Sequence, residues 1–516
     1  MGLPGVAIQK VNANAGTVPQ SATGVAAIIA PCSGGGTPLT DVAVLYNSPA
    51  AVQAAYLVGP MVEFSAYEMT DTALPVVCVK PTTTTAASCS TVTSVKTGTF
   101  SPSVTTATAN DDYNAVVTAS VASPLPAALA GTVAGVVIYV LTGGALGTAG
   151  ITYVYSLDGG NSVSAVQALG TALTITPVEP NTGASTGITV TLGTSTQTVL
   201  AGDYFWFTSV GPRMASADLT AALQALYVTK LPFDLVIVHG ETSAALVAIL
   251  EAWVLTMNAQ GRYPTVLVNT RFKDQIPGAV ETETAFATAM TTLVSGIVAN
   301  DVCIGCDGAA YVSPLTGITK AMPTSLYILA QCESSPVGVD PAQVSLGPAT
   351  NAVIDNPHMT PAFHDEAVSN TLDSPGSTLR LSTLRSIFGK QGVFITNAYL
   401  MSTAGSDYVY IQDNRTMNAA ATLVYQLMTG FLSYGVPRSI KTGFILEPTA
   451  AAWERLVNKR IQNALNGQVS GIVFSISRTD PLTGNGPQTI NCTLSNEALA
   501  YVKTFAVKAL FVNNLL

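Results

Sequence analysis

Three apolar segments near the middle of the chain restrict its fold more than any other feature. "FDLVIVHG" (233–240) and "YPTVLVNT" (263–270) have the length of strands and are apolar on both faces. The segment between them has helical spacing, with Thr242 as the predicted N-cap and Gly261 at the end. A helix between two fully apolar strands is typical of a βαβ unit in a buried parallel sheet. We therefore expect an α/β domain.

This α/β pattern is interrupted by a long stretch of different composition. Between residues 81 and 212 the sequence is rich in Thr, Ser, Val and Gly, and strand-length runs alternate with turn residues. Apolar strands precede it in "VAAIIAPC" and "LPVVCVK", and a helix follows it with Ser216 as the predicted N-cap. The pattern predicts a mixed-sheet α/β domain from residues 26–80 and 213–380, interrupted by an all-β insertion, sandwich or barrel-like, at 81–212.

A second mixed region, α+β in type, is predicted for residues 381–500. It contains "TMNAAATLVYQLMTGFLSYG", which has no charge and is predicted to be a helix buried on nearly all sides. The next helix is amphipathic, and two strands, "GIVFSISR" and "QTINCTL", follow it across a Gly- and Pro-containing loop. The apolar stripe of this second helix consists of Trp453, Val457, Ile461 and Leu465.

Both ends of the chain are interpreted as extended arms. Residues 1–25 contain the short strand signal "PGVAI" ahead of a flexible stretch. Residues 501–516 have strand spacing, with apolar residues on both faces of the predicted strand. A strand that is apolar on both faces normally lies inside a sheet, and no tight hairpin turn precedes this one. A helix is the rival interpretation of the C-terminal arm, but its aromatic and β-branched content favours a strand.

The low charge of the chain excludes some functions. Only 10% of the 516 residues are charged, the net charge is −9, and no Lys or Arg occurs from Thr97 to Pro212. Binding to a nucleic-acid backbone needs clustered cations, so no direct nucleic-acid partner is expected. So few charges are typical of a neutral polar surface or of one covered by other subunits.

No membrane span, secretory signal or disulfide scaffold is expected. The longest apolar stretch, residues 127–150, is broken by Gly and Thr and is interpreted as two strands around a turn. The first residues lack a basic segment followed by an apolar one, so we expect synthesis in the cytoplasm. The seven cysteines are odd in number and widely spaced.

The strongest candidate for a catalytic residue is His239. It follows a predicted parallel strand, and the carboxyl ends of such strands are where open α/β sheets bind ligands. However, Glu241 and Thr242 begin the next predicted helix, and no Gly-rich phosphate loop accompanies them. We interpret the segment as an ordinary strand-to-helix turn. A cleft at His239 would favour an enzyme instead.

The other candidate sites are weaker. His358, His364 and Asp365 match no helical pattern of metal ligands. Cys303 and Cys306 form a single C-x-x-C without the second pair of a zinc ribbon, so two buried thiols are expected. We predict no catalytic residue, no metal and no cofactor.

The order of several motifs resembles the sheath proteins of contractile phage tails. The opening "GLPGVAI" is similar to the short N-terminal strand of many sheaths. The run "YVYSLDGGNSVSAVQALG", then "TGITVTLG", then "VLAGDYFWFTSVGP" resembles a subfamily in which a β domain with a "DGG" hairpin precedes the α/β unit. The region with Gly392, Ser406, Asp407 and Arg415 resembles the segment that opens a long sheath helix. The resemblance covers most of the chain from residue 150 to residue 516, together with the first ten residues.

The resemblance implies a mechanical function and no enzymatic activity. Sheath proteins polymerise around an inner tube and contract to drive it through the host envelope, and their terminal arms complete sheets in neighbouring subunits. The implied partners are other copies of the chain in stacked rings, expected to be hexameric, the inner tail tube protein, and baseplate and tail terminator proteins. The implied location is the virion tail, assembled in the host cytoplasm. The implied subunit-interaction residues are Val6, Ile8, Tyr501, Phe505, Val507, Leu510, Phe511 and Val512.

Two alternatives remain from the residues themselves. An extracellular adhesin or S-layer-like protein fits the low charge and the Thr-rich region, but the missing secretory signal and the βαβ unit oppose it. An α/β enzyme centred on His239 is less favoured.

Overall fold

The computed structural model describes residues 25–34, 39–104, 109–115, 120–130, 132–273, 281–350, 352–353, 379–403, 405–482 and 489–501. The strands in these ranges are β1 (Ala26–Ile29), β2 (Ala43–Tyr46), β3 (Val76–Val79), β4 (Ser88–Cys89), β5 (Thr93–Val95), β6 (Ser103–Val104), β7 (Val136–Thr142), β8 (Gly144–Ala145), β9 (Thr152–Ser156), β10 (Gln167–Ala168), β11 (Thr174–Ile175), β12 (Val190–Thr191), β13 (Thr198–Val199), β14 (Tyr204–Phe207), β15 (Ser209–Val210), β16 (Leu235–Glu241), β17 (Thr265–Asn269), β18 (Val302–Gly305), β19 (Gly308–Val312), β20 (Thr319–Pro323), β21 (Ala352–Val353), β22 (Leu384–Ser386), β23 (Val393–Ile395), β24 (Gly471–Ile476) and β25 (Cys492–Glu497). The α-helices are α1 (Pro49–Tyr56), α2 (Pro60–Thr72), α3 (Ser216–Val228), α4 (Ala244–Asn258), α5 (Glu283–Val294), α6 (Thr324–Ser334), α7 (Ile411–Met428) and α8 (Glu447–Ala464).

The chain divides into two units, which are described separately. The first is Ala22–Asn418, and the second begins at Ala419. The division falls within α7.

The first unit contains a six-stranded mixed sheet in the order β18-β17-β16-β1-β3-β2. All neighbours are parallel except β2, which runs antiparallel to β3. Helices cover both faces of this sheet. Alternate residues of a strand point to opposite faces, and they belong to two different apolar clusters. Ile28 and Ile237 pack with α2 and α6, whereas Ile29 and Val236 pack with α3 and α4. Covering both faces explains why these strands are apolar throughout and confirms the predicted α/β class and βαβ unit.

Residues 82–212, which we call the β region, form antiparallel sheets. The largest is five-stranded in the order β10-β9-β7-β14-β5, and smaller ones pair β11-β12-β6, β13-β8 and β15-β4. Apolar clusters cover both faces of the large sheet, with Ile138 in one and Val137 in the other. The stretch 127–150 contains β7 and β8, as predicted. No helix among the described residues is long and apolar enough to cross a membrane.

Short hairpins complete the first unit. The predicted hairpin around residues 314–317 is confirmed as β19 and β20, and β21 pairs with β19. A second pair consists of β22 and β23. In the second unit, β24 and β25 form an antiparallel hairpin as predicted.

Three local predictions were wrong. The N-cap of α4 is Ser243, whose side chain accepts from the N–H of Leu246, and Glu241 still belongs to the preceding strand. Ser216 is the first helical residue of α3, and the carboxylate of Asp218 accepts from the N–H of Ala215 instead. The uncharged segment 416–435, whose first part lies in α7, is not buried on nearly all sides, since Tyr425 is 43% exposed.

Candidate functional site

The hairpin of β24 and β25 is a sheet of only two strands within the described residues. Helix α8 covers one face, where Ile472, Phe474 and Ile476 of β24 are buried along with Val457 and Ile461 of α8. On the other face, Val473 is 57% exposed. Two-stranded sheets are at best marginally stable in water, so this hairpin depends on α8 and can accept a further strand.

Polar side chains of α8 close the outer edge of β24. The side-chain amide of Asn458 donates to the carbonyl of Phe474 at 2.8 Å, and its oxygen accepts from the N–H of Phe474 at 2.7 Å. The carboxylate of Glu454 accepts from the N–H of Ile476 at 2.6 Å. These contacts replace the bonds that another strand would make, which is one way in which sheets protect an edge.

The edge of β25 has a different character. Phe474 is directly opposite Leu494 in the register. Because the backbone groups of Phe474 point away from β25, the two residues form a non-hydrogen-bonded pair, and the N–H and C=O of Leu494 point away from β24. Four of the six β25 residues have exposed side chains. In the described part of the chain, β25 pairs with β24 alone, so its outer edge is where a further strand can add.

An ion-pair network fixes α8 against the end of β24. Arg478 contacts Glu447 and Glu454, each at 2.7 Å. The hydrogen bond from Arg478 holds the pKa of Glu454 below its usual value, and the N–H of Ile476 acts in the same direction.

The structure describes one of the eight predicted subunit-interaction residues, Tyr501, which is half-buried just beyond β25. The other seven lie outside the described residues, so the prediction is untested.

A buried charge cluster joins the β region to the rest of the first unit. The ammonium group of Lys320 in β20 lies 2.5 Å from Asp111, 2.9 Å from Glu63 in α2 and 3.6 Å from Glu179. The three carboxylates are close enough together to resemble a metal site, but the Lys320 ammonium lies among them. Burial raises the pKa of Asp111 to about 7, although Lys320 opposes this shift.

The β region holds all its acids in internal contacts. Between Thr97 and Pro212 there are five: Asp111, Asp112, Asp158, Glu179 and Asp203. Asp158 accepts from Ser162 and from the N–H of Thr319, and Asp203 accepts from the N–H groups of Thr97 and Leu200. The other three contact Lys320 or Arg213.

The chain enters and leaves the β region side by side. Thr85 and Arg213 exchange both backbone hydrogen bonds, at 3.1 and 3.0 Å. Arg213 also pairs with Asp112 at 2.6 Å. The two connections are therefore held together at the place where the β region meets the six-stranded sheet.

His239 lies at the carboxyl end of β16, as predicted. The register against β17 shifts between Ile237 and Glu241, and Gly240 has a φ of +125°, which a side chain would strain. The ring of His239 packs edge-on against Phe64. Burial, helped by the charge of Arg213, lowers the pKa of His239 to about 3. A general acid or base needs a pKa near the working pH, so this imidazole is poorly suited to proton transfer at neutral pH.

The remaining candidate sites are ordinary or undescribed. Cys303 in β18 and Cys306 just beyond it are buried and form no disulfide, as predicted. His358, His364 and Asp365 lie outside the described residues. Asp407 precedes α7, whereas Arg415 within it donates to the carbonyl of Cys332.

The sequence analysis missed the two most specific features, which are the hydrogen bonds of Asn458 to Phe474 and the buried charge cluster around Lys320. No sequence pattern marks Asn458. The absence of Lys and Arg from residues 97–212 could have indicated the Lys320 cluster, because buried acids without a nearby cation in the sequence need partners elsewhere in the chain.

The first unit thus contains an α/β part with a mixed sheet and an antiparallel β region, which are joined through buried ion pairs. The chain belongs to the family described as DUF2586, whose N-terminal domain matches residues 3–399. No curated protein matches the chain.

Several solved structures are similar to this chain at low identity. The anti-feeding prophage sheath in its contracted state is 10% identical, with full coverage of both chains and a TM-score of 0.49. The sheath tail protein of Desulfitobacterium hafniense is 9% identical over 96% of this chain and 100% of that one, with a TM-score of 0.45. The sheath tail protein of Listeria innocua is 11% identical over 92% and 94%, with a TM-score of 0.39.

Proposed function

We propose that this chain is the structural subunit of a contractile tail sheath, with no enzymatic role. The observation that carries the proposal is the hairpin of β24 and β25, which is closed along one edge by Asn458 and Glu454 and open along the other. A chain that polymerises by strand addition needs such an acceptor at a single defined edge. The order of sheath-like motifs along the sequence supports the same function.

The added strand in this proposal comes from another copy of the chain. The C-terminal arm, residues 501–516, is apolar on both faces and suits a position inside a sheet. Each main-chain hydrogen bond contributes about 1 kcal/mol net, and each buried Phe or Val adds roughly 1.5–3 kcal/mol. The donor residues are those predicted from the sequence: Val6 and Ile8 of the N-terminal arm, and Tyr501, Phe505, Val507, Leu510, Phe511 and Val512 of the C-terminal arm.

The finer architecture belongs to the same proposal. Residues 81–212 are an outer domain inserted into the α/β domain of residues 26–80 and 213–380, and the paired strands at Thr85 and Arg213 support an insertion. Residues 381–500 form the C-terminal α+β sheath domain. The subunits build stacked hexameric rings around an inner tube, between a baseplate and a terminator, in a virion tail assembled in the host cytoplasm. The interfaces formed on contraction supply the energy.

The test replaces Leu494 with Pro. Because the N–H of Leu494 points away from β24, Pro there removes a donor from the open edge and none from the hairpin. We expect Leu494→Pro to remain a folded monomer that forms no tubes in negative-stain electron microscopy. Leu494→Ala, which keeps the N–H, should still form tubes.

Two further variants test the donor strand. Deleting residues 501–516, or replacing Val507 with Pro, should also leave a folded monomer. Tube formation by Leu494→Pro at the wild-type level would refute addition at β25. Tubes from the deletion variant would refute the C-terminal arm as donor, and failure of the wild-type chain to form any ordered assembly would argue against a sheath.

A further inference from the structure

The side chains of Lys320 and Asp111 are buried, and their reactive groups are in direct contact. Nζ of Lys320 lies 2.5 Å from Oδ2 of Asp111, and the two residues are 7% and 2% exposed. The carboxyl carbon is one C=O bond of about 1.23 Å beyond that oxygen, so Nζ lies within about 3.7 Å of it. Reacting atoms held about 3–3.5 Å apart are already near the geometry of attack. The pair is therefore placed for reaction between an amine and a carboxyl carbon.

The carboxyl group of Asp111 is held in one orientation. Its Oδ1 atom accepts from the N–H of Asp112 at 2.7 Å, which leaves Oδ2 toward Lys320. The backbone carbonyl of Asp111 accepts from the hydroxyl of Ser209 at 3.3 Å. Tyr113 and Ser209 also exchange both backbone hydrogen bonds, each at 3.0 Å. The N–H of Asp112 can therefore stabilise negative charge on Oδ1 if the carboxyl carbon is attacked.

A second carboxylate lies within proton-transfer distance of the amine. Oε1 of Glu63 is 2.9 Å from Nζ of Lys320, and Glu63 is 3% exposed. A general base must lie about 2.6–3.2 Å from the atom whose proton it takes, and Glu63 meets this condition. Glu179 lies farther away, at 3.6 Å, and its Oε1 atom accepts from the hydroxyl of Tyr113 at 3.2 Å. Glu63 is thus the better placed of the two.

The protons that such a reaction needs are already in the cluster. The ion pair and the neutral pair of amine and carboxylic acid differ only by one proton moved between Nζ and Oδ2. Burial raises the pKa of Asp111 to about 7, so its protonated form is available at neutral pH. Burial acts to lower the pKa of Lys320, but the carboxylates around it raise that pKa well above its usual value. The neutral amine is therefore a minor form, and its reaction follows folding slowly.

We propose that Lys320 and Asp111 form an intramolecular isopeptide bond, with Glu63 transferring the proton. The neutral amine of Lys320 attacks the carboxyl carbon of protonated Asp111. Glu63 takes a proton from the nitrogen and returns it to Oδ2, which leaves as water. One C–N bond forms, one C–O bond breaks, and the products are an amide and one water molecule. Oδ1 remains as the amide oxygen on the N–H of Asp112.

The bond links the β region covalently to β20, across 209 positions of the sequence. It also replaces a buried ammonium and a buried carboxylate by one neutral amide, which removes two charges from the protein interior. The free ion pair described above is the starting state, so its stability and its pH dependence are properties of the chain before conversion. The bond does not depend on strand addition at β25.

The test is the intact mass of the full chain, followed for several days after purification at neutral pH. The wild type should become lighter by one water molecule, and a chymotryptic digest should contain Lys320 and Asp111 in one cross-linked peptide. Lys320→Arg keeps a cation but has no nucleophilic amine, so it should keep the mass of its sequence. Lys390→Arg, at an exposed lysine, is the matched control and should lose water like the wild type.

Three further variants test the chemistry. Asp111→Asn presents an amide instead of an acid, so the same bond should form with loss of ammonia. Glu63→Gln keeps both reacting groups but cannot carry the proton, so conversion should be at least about a hundredfold slower. Glu179→Gln should be less than about tenfold slower, because Glu179 lies beyond the distance that proton transfer requires.

The circular dichroism spectrum of each variant checks that it folds. If Lys320→Arg does not fold, loss of ammonia from Asp111→Asn still identifies the reacting pair. A wild-type chain that keeps the mass of its sequence would overturn the proposal, and so would loss of water from folded Lys320→Arg. Conversion of Glu63→Gln at the wild-type rate would contradict the role of Glu63.

Discussion

The β region and the C-terminal hairpin are both antiparallel, but they differ in how far their faces and edges are covered by other parts of the chain. The five-stranded sheet of the β region has apolar clusters on both faces, and its acids are all held in internal contacts. The hairpin has two strands, one covered face and one open edge among the described residues. The difference shows that the covering of a sheet is a local property. The same chain contains one sheet whose two faces are both covered and another with an exposed face and an open edge.

The largest expected effect on the free energy of unfolding comes from removing Lys320, the cation of β20 that pairs with acids of the β region. Lys320→Met leaves Asp111, Glu63 and Glu179 buried together without a positive charge. Breaking a buried ion pair in this way costs about 3–5 kcal/mol, so we expect a loss of that size in urea-induced unfolding. Lys390→Met, at an exposed lysine, is the control and should change the free energy of unfolding by less than about 0.5 kcal/mol. Equal stability of the two variants would show that the cluster does not join the regions.

A smaller effect is expected from opening the closed edge of the hairpin. Asn458→Ala removes both hydrogen bonds to Phe474 and should lower the local stability of β24 by about 1–3 kcal/mol. Hydrogen-exchange mass spectrometry of residues 471–476 measures this directly. Asn463→Ala changes an exposed residue of the same helix and should leave exchange unaltered. If Asn458→Ala exchanges like the wild type, Asn458 does not protect the edge.

The smallest effect is a difference in how the two regions respond to pH. The pKa of Asp111 is raised from 3.8 to about 7, chiefly by burial, so folding binds a proton that the unfolded chain releases. Its contribution is complete below pH 3.8 and is lost as the pH rises through about 7. The pKa of Glu454 is lowered from 4.5, chiefly by its hydrogen bond from Arg478, so its contribution is present above pH 4.5 and is lost on further acidification.

We therefore expect opposite trends in amide exchange after correction for intrinsic rates. Residues around Asp111 should become better protected between pH 8 and 5, and the hairpin should lose protection below pH 4.5. Asp111→Asn should flatten the first trend and Glu454→Gln the second. The same trend in both regions would contradict the assigned shifts.

The sequence predicted those parts of the fold that depend on local pattern. The unbroken apolar runs were sufficient to predict β16 and β17, because burial on both faces of a parallel sheet requires apolar residues at successive positions. The hairpin of β24 and β25 was predictable from its two runs and intervening loop. The N-cap of α4 was missed by one position because Thr242 and Ser243 are both suitable caps and only the backbone decides between them.

The candidate site was less predictable because its contacts join distant residues. Asn458 and Phe474 are sixteen positions apart, and Lys320 lies 209 positions from Asp111. The burial of α7 was overestimated because uncharged residues such as Tyr425 tolerate solvent as well as a protein interior. Side-chain pairs of this kind follow from tertiary packing, which periodicity does not encode.

Every acidic residue between Thr97 and Pro212 contacts other groups of the protein, and this affects how the surface of the β region responds to dissolved salt. Since this stretch has no Lys or Arg and its five carboxylates are held within the protein, its outer surface carries almost no fixed charge for dissolved ions to screen. Encounters with this surface gain no electrostatic steering at low ionic strength and lose none at high ionic strength. Apart from the exposed Lys96, the β region should therefore present the same surface to other molecules at low and at high salt concentration.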